Sequence, residues 1–186
     1  MNELFSIPAI LVYSILFGSM MKLADCFNEH GFKWFKFDAI VFGILFGIFG
    51  GLLTLSDPAL TNLYLALLLV NILRFRVDKL NHGIAANIIF LSFLFVANNF
   101  NWTHFLYLFV PFAFFGLLMD VIIPKTSSLH FLEKIFETRF YYFIVTFLFS
   151  FYTDNWLVFV SMTLFQLSYN LTSKYAKRSK HYINIK

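Results

Sequence analysis

The segment KLADCFNEH, residues 22–30, combines two carboxylates with a neighbouring cation. Asp25 and Glu29 are four residues apart, so they share one helix face if the preceding helix continues past Lys22. Mg²⁺ in proteins prefers a few carboxylates together with phosphate oxygens of a substrate. The pair therefore predicts a magnesium site for a phosphate or diphosphate head group, with Lys22 beside it. The alternative is a solvated loop held by salt bridges.

The segment RFRVDKLNH, residues 74–82, is the most charged part of the chain's first half. Arg74 and Arg76 suit a phosphate, because a guanidinium group can donate to two of its oxygens at once. Asp78 and His82 are four residues apart and predict a polar pair that could exchange protons with a substrate. The alternative is that the basic residues only anchor a loop at a membrane surface.

Asp120 lies in the apolar segment FFGLLMDVIIP, residues 114–124. A carboxylate within a membrane segment is costly, needs a partner and commonly marks a functional site. We expect Lys22 to be this partner, because it occupies the corresponding place after the first apolar segment. The alternative is that the helix ends near Pro124 and that Asp120 lies at the membrane interface.

Two asparagines lie one turn inside the basic ends of the third and the seventh apolar segments. We expect Asn71 and Asn170 to form hydrogen bonds between helices, as amide side chains do in membrane bundles. The alternative role for both is to bind a substrate.

The composition indicates that these groups belong to a membrane protein. Hydrophobic residues make up 60% of the 186 residues and charged residues 13%, with a mean hydropathy of +0.75. Soluble domains average about 45–50% apolar and about 25% charged residues. Cys26 is the single cysteine, which excludes a disulfide framework and a multi-cysteine metal site. Walker A, HExxH and GxSxG motifs are absent, which disfavours the chemistries that they support.

Seven uncharged apolar segments predict the helices that position the polar groups. A spanning helix needs about 20 residues, so three of the segments are short. They must be helical to cross, because hydrocarbon offers no partner for free backbone groups. The chain is therefore predicted to be all-α, a polytopic transmembrane bundle and one integral membrane domain over residues 1–186. The segments are 4–21, 39–56, 58–73, 83–98, 103–119, 140–153 and 155–173.

Local signals refine this plan. Asp57 followed by Pro58 predicts a helix N-cap and a tight turn, and residues 153–155 carry a weaker version of the same signal. Residues 129–140 predict an amphipathic segment that lies on the membrane or begins the sixth span. Small residues every four positions on the second helix predict close packing against a neighbour. They are Gly43, Gly47 and Gly51.

The basic residues predict the orientation. If the chain crosses seven times, all 14 lysines and arginines fall on one side, and the other side has only Glu3, Asp57 and Asp154. Cytoplasmic loops are enriched in Lys and Arg. The prediction is a multi-pass protein of the cell membrane with its N-terminus outside and its C-terminus in the cytoplasm. The basic residues are Lys22, Lys33, Lys36, Arg74, Arg76, Lys79, Lys125, Lys134, Arg139, Lys174, Lys177, Arg178, Lys180 and Lys186.

A weak internal repeat suggests two parallel halves. LFGSMMK and FFGLLMD end the first and fifth segments, and the Phe-Gly pair precedes an Asn by 54 residues (Phe17 to Asn71) and 55 residues (Phe115 to Asn170). The predicted plan is 3+1+3, with halves 4–80 and 103–181 and a linker helix at 83–98. This arrangement resembles that of the SWEET and PQ-loop carriers of sugars and amino acids.

The resemblance implies a carrier of small solutes, and it brings no functional residues with it. The Pro-Gln pairs of the PQ-loop group are absent, since Pro8 precedes Ala9 and Pro111 precedes Phe112. A carrier for neutral solutes would rely on polar residues near the middle of the membrane. They are Ser92, Thr146, Ser161, Thr163 and Gln166.

The function predicted first is a site at the cytoplasmic interface that binds or processes a phosphorylated lipid. The neutral-solute carrier and a non-catalytic scaffold subunit are the alternatives, so whether the chain is an enzyme is left open. Expected partners are membrane lipids and no nucleic acid, and a homo-oligomer is left open. The expected cofactor is Mg²⁺. The candidates are Asp25, Glu29, Asp78, His82 and Asp120 for catalysis, Lys22, Arg74, Arg76, Asn71 and Asn170 for the substrate, and Asp25 and Glu29 for the metal.

Overall fold

The computed structural model describes residues 3–29, 32–121 and 140–183, without the side chains of Glu29, Val121 and residues 177–183. Every regular element in these ranges is helical, which confirms the all-α prediction for them. Two short 3₁₀ turns, Glu3–Phe5 and Ala97–Asn99, accompany the helices. The helices are α1 Ile7–Glu29, α2 Asp38–Ser56, α3 Pro58–Leu73, α4 Leu80–Val96, α5 Trp102–Val121, α6 Tyr141–Thr153 and α7 Trp156–Ile183.

Within the described part of the chain, four helical stretches are long and apolar enough to cross a membrane, which agrees with an integral membrane protein. They are Ile7–Asn28, Asp38–Ser56, Leu80–Asn99 and Trp102–Asp120. The apolar helices Pro58–Leu73 and Tyr141–Thr153 are shorter, as their sequence segments suggested. Seven crossings and their orientation stay predictions. The amphipathic segment predicted for residues 129–140 lies outside the described residues, apart from Phe140.

The turn between α2 and α3 forms as predicted. One carboxylate oxygen of Asp57 accepts hydrogen bonds from the backbone N–H groups of Ala59 at 2.8 Å and Leu60 at 3.3 Å, and Pro58 begins the helix. The side-chain amide of Asn155, in the turn between α6 and α7, donates to the same oxygen at 3.3 Å. The two tight turns therefore lie side by side at one end of the bundle, which we call the turn end.

The glycines of α2 allow close packing against α4, as predicted. A Cβ built on Gly47 would lie 2.8 Å from the Cα of Ala85, and one on Gly43 would lie 2.7 Å from the Cβ of Asn81. Real Cβ atoms essentially never approach so closely, so a side chain at either position would require α4 to shift. The packing fixes the register of α4 and thereby the position of the residues at its beginning.

Helices from the first part of the sequence pack against helices from the last part. Helix α1 packs against α2 and α7, while α3 packs against α5. Gly18 of α1 closely approaches the backbone of Phe165 in α7, and Gly116 of α5 closely approaches the side chain of Arg74 at the end of α3. This crossed packing brings the C-terminal ends of α1, α3 and α5 and the middle of α7 around one space. The 3+1+3 repeat itself stays a prediction.

Candidate functional site

Most of the charged residues singled out from the sequence line one cavity of about 820 Å³ at the end of the bundle opposite the turn end. We call this the cavity end. The C-terminal parts of α1 and α5, the α3–α4 loop, the start of α4 and the middle of α7 contribute to it. Its polar lining consists of Lys22, Asp25, Asn71, Arg74, Arg76, Asp78, His82, Asp120 and Tyr169.

Asp120 pairs with arginines and not with Lys22, so the expected partner was wrong. Arg74 Nε donates to Asp120 Oδ2 at 2.7 Å, and Arg74 Nη2 donates to Oδ1 at 3.0 Å. Arg76 Nη2 also donates to Oδ1, at 2.7 Å. The physical reason is the packing of α5 against α3, which places the end of α5 beside the α3–α4 loop.

The loop reaches this geometry through Phe75. Its φ of 53° is in the left-handed region, where a non-glycine residue is uncommon. The reversal of the chain at Phe75 lets residues on either side of it, Arg74 and Arg76, reach the same carboxylate. The Phe75 side chain is 88% exposed and lies at the edge of the cavity. A sequence pattern does not reveal such a backbone conformation.

Arg74 does more than anchor a loop. Its side chain is only 7% exposed, whereas that of Arg76 is 57% exposed. Burial acts to lower the pKa of Arg74, but the hydrogen bonds and charge of Asp120 outweigh it and raise the pKa above its ordinary value. Arg74 is therefore a fixed, buried cation, and Arg76 is the guanidinium with surface open to a ligand.

Asp25 and His82 form a second polar cluster in the same cavity. His82 Nε2 lies 2.9 Å from Asp25 Oδ1, and Tyr169 Oη donates to Asp25 Oδ2 at 2.9 Å. Lys22 Nζ is 3.8 Å from Asp25 Oδ2 and stacks over the Tyr169 ring at 5.1 Å. Helix α1 continues past Lys22 to Glu29, as the placement of Asp25 required.

His82 connects the α3–α4 loop to α1 through its two ring nitrogens. His82 Nδ1 lies 3.0 Å from the carbonyl oxygen of Arg76, which can only accept, so Nδ1 carries a hydrogen. Nε2 faces Asp25 Oδ1 at 2.9 Å. An imidazole beside a carboxylate is a combination that general acid–base catalysts use.

Asp78 lines the cavity but is not part of either cluster. Its side chain is 55% exposed, and the basic nitrogens that approach it among the described residues are Lys79 Nζ at 3.9 Å and His82 Nδ1 at 3.8 Å. Neither distance is a hydrogen bond. The pair predicted between Asp78 and His82 is therefore only a loose one, and His82 turns its other nitrogen to Asp25.

The magnesium prediction is not supported by a ligand cluster. Among the described residues, no group of three His, Cys, Asp or Glu side chains is arranged to hold a metal ion. Both oxygens of Asp25 already face His82, Tyr169 or Lys22. The side chain of Glu29 lies outside the described residues, so a metal site at Asp25 and Glu29 stays a prediction.

The two asparagines form hydrogen bonds within their own helices, so the expectation of bonds between helices was wrong. Asn71 Nδ2 donates to the Leu67 carbonyl oxygen at 2.9 Å, and Gln166 Nε2 donates to Asn170 Oδ1 at 3.2 Å. Each partner lies four residues earlier in the same helix, where a short polar side chain meets it without a neighbour's help. Asn71 lines the cavity; Asn170 is not among the lining residues.

Sequence reasoning missed Tyr169, which orients Asp25. It stands one position before Asn170, but a tyrosine in an aromatic-rich chain gives no signal of a polar role. The polar residues proposed for a carrier are placed elsewhere. None of the five lines the cavity, and Ser161 bonds Ser14 Oγ and Tyr64 Oη, each at 2.7 Å.

The inner wall of the cavity is apolar. Beyond the charged residues it is built from aromatic and aliphatic side chains of α1, α2, α3, α4 and α7. Phe17 stands at the centre of this wall, with ring centroids 5.0 Å from Phe165 and 5.4 Å from Tyr64. The wall consists chiefly of Phe17, Met21, Phe46, Tyr64, Leu67, Leu68, Ala86, Ile89 and Phe165.

The comparisons with known proteins add no identity to this geometry. The sequence matches no protein-family model, and neither a curated protein nor a solved structure matches it.

Proposed function

We propose that this integral membrane protein binds a phosphorylated lipid, with the head group among the charged residues of the cavity and an acyl chain along its apolar wall. The observation that carries the proposal is that charged and apolar side chains line the same cavity of about 820 Å³. Ionic groups from the helix ends and the α3–α4 loop line one part of it, and Phe17, Ile89 and Phe165, from the middle of α1, α4 and α7, line another. An amphiphile is the class of molecule that such a cavity fits.

Arg76 is the primary contact for phosphate in this proposal. It keeps N–H donors on a side chain that is 57% exposed, while Asp120 holds its position through one hydrogen bond. Arginine is suited to phosphate by its planar fork of donors. Asp120 is thus a positioning residue for the arginines, and the Asp25–His82 pair is the group that would exchange a proton if the lipid is also processed.

The proposal places the cavity end at the cytoplasmic face of the cell membrane. Its support is the uneven distribution of lysines and arginines in the sequence. None of the five polar residues expected near the middle of the membrane lines the cavity, which favours a lipid site over a carrier for neutral solutes.

Binding can be measured on purified protein in detergent by native mass spectrometry. The probe is a dioctanoyl phospholipid, and the matched control ligand is dioctanoylglycerol, which lacks only the phosphorylated head group. We expect retention of the phospholipid at concentrations where the diacylglycerol does not bind. Equal binding of the two ligands would overturn the proposal.

A pair of variants assigns the contact. Arg76→Gln should weaken phospholipid binding about tenfold. This factor corresponds to about 1.4 kcal/mol, close to the contribution of one charge-assisted hydrogen bond. Lys33→Gln removes an exposed charge that does not line the cavity and should leave binding unchanged. Incubation of the phospholipid with the wild-type protein and with Asp25→Asn, with and without Mg²⁺, then tests whether the bound lipid is also converted.

A further inference from the structure

We propose that the cavity selects a zwitterionic phospholipid head group, one that carries a phosphate and an ammonium group, over a purely anionic one. This inference rests on the proposed lipid binding and concerns the charge of the head group. Its basis is a pair of exposed, opposite charges, Arg76 and Asp78, in the α3–α4 loop. We call the part of the cavity that this loop lines the cavity mouth.

The buried charges of the cavity satisfy one another. Arg74 is paired with Asp120 through two hydrogen bonds, and Asp25 faces His82 and Lys22. Side chains of Lys22, Asp25 and Arg74 are all at most 11% exposed. A head group would have to displace the hydrogen bonds of Arg74 and Asp25 to use these two residues, which is unfavourable for buried ions. It would also have to reach the Lys22 ammonium group, which is 11% exposed and lies over the Tyr169 ring.

Two opposite charges remain accessible. Arg76 and Asp78 are separated by one residue, both line the cavity, and their side chains are 57% and 55% exposed. Asp78 accepts no hydrogen bond from the described residues, since Lys79 and His82 approach it only to 3.9 and 3.8 Å. The mouth therefore offers one site for an anionic group and one for a cationic group.

A phosphoethanolamine head group matches this arrangement. Its phosphate would bind Arg76, and its ammonium group, two carbons beyond the ester oxygen, would donate to Asp78. A phosphoglycerol head group supplies the same phosphate but leaves Asp78 facing a net negative ligand. Like charges in proximity disfavour binding, so the carboxylate acts against purely anionic lipids.

The test compares two lipids that share dioctanoyl chains, a phosphatidylethanolamine and a phosphatidylglycerol, on the same purified protein. We expect the ethanolamine lipid to bind about fivefold more tightly, which is the upper end of what a solvent-exposed ion pair contributes to binding. Asp78→Asn should abolish this preference while both lipids still bind. Arg76→Gln should weaken both lipids, because both carry the phosphate.

Asp154→Asn is the matched control, since Asp154 is an exposed aspartate at the turn end. It should retain the wild-type preference. If the phosphoglycerol lipid binds as tightly as the ethanolamine lipid, or if Asp78→Asn keeps the preference, the inference is wrong while lipid binding stands. If neither phospholipid binds better than dioctanoylglycerol, the proposed function fails as well.

Discussion

Replacement of Asp120 by asparagine should destabilise the bundle much more than the same replacement of Asp78, which also lines the cavity. The variant loses the carboxylate that accepts three hydrogen bonds from guanidinium groups. It leaves the Arg74 side chain, which is only 7% exposed, without a counter-ion. Removing one partner of a fully buried ion pair costs about 3–5 kcal/mol. Because Asp120 is 26% exposed and water can reach the guanidinium group, we expect a loss of about 2–3 kcal/mol.

The free energy of unfolding can be measured by titration with SDS in mixed micelles. Cys26, the single cysteine and only 2% exposed, provides the signal through its labelling by a thiol reagent as the bundle opens. Asp78→Asn is the matched control, because Asp78 accepts no hydrogen bond in the described structure and should lose less than about 0.5 kcal/mol.

A double-mutant cycle separates the two arginines. Arg74→Gln should be strongly coupled to Asp120→Asn, whereas Arg76→Gln, with a side chain 57% exposed, should lose less than about 1 kcal/mol. An Asp120→Asn variant as stable as Asp78→Asn would refute the assignment of Asp120 as the counter-ion of a buried arginine.

Three further predictions use the same unfolding assay. Phe75→Gly should stabilise the protein by about 0.5–1 kcal/mol, because glycine adopts the positive φ at that position without strain; a lower stability would contradict this account. Gly47→Ala should cost about 1–3 kcal/mol, since its Cβ would lie 2.8 Å from Ala85, whereas Gly83→Ala, with open space around it, should be neutral or stabilising. Asp57→Ala should cost about 1–2 kcal/mol through the loss of the N-cap, and a neutral effect would argue against that cap.

Features encoded within one helix or one turn were predicted well from the sequence. The Asp57–Pro58 turn and the spacing of the glycines on α2 follow from short-range rules on capping and helical periodicity. Each depends on residues a few positions apart, so no knowledge of the tertiary arrangement was needed.

Features that depend on which helices pack together were not predictable. The weak repeat pointed to Lys22 as the partner of Asp120, and only the contact of α5 with α3 shows that the carboxylate meets Arg74 instead. Tyr169 gave no signal because its role depends on the contact of α7 with α1. The convergence of the charged segments on one cavity likewise required the crossed packing of the two halves.

The contact between the two tight turns has a mechanical consequence. One oxygen of Asp57 accepts from its own helix start and from Asn155, so the α2–α3 and α6–α7 hairpins are tied together at the turn end. Hairpins joined at one end can separate most at the other, since a small tilt about the joint produces a displacement that grows along the helix. A rotation about this joint would therefore change the width of the cavity end most, and the packing of α1 against both α2 and α7 opposes such a rotation.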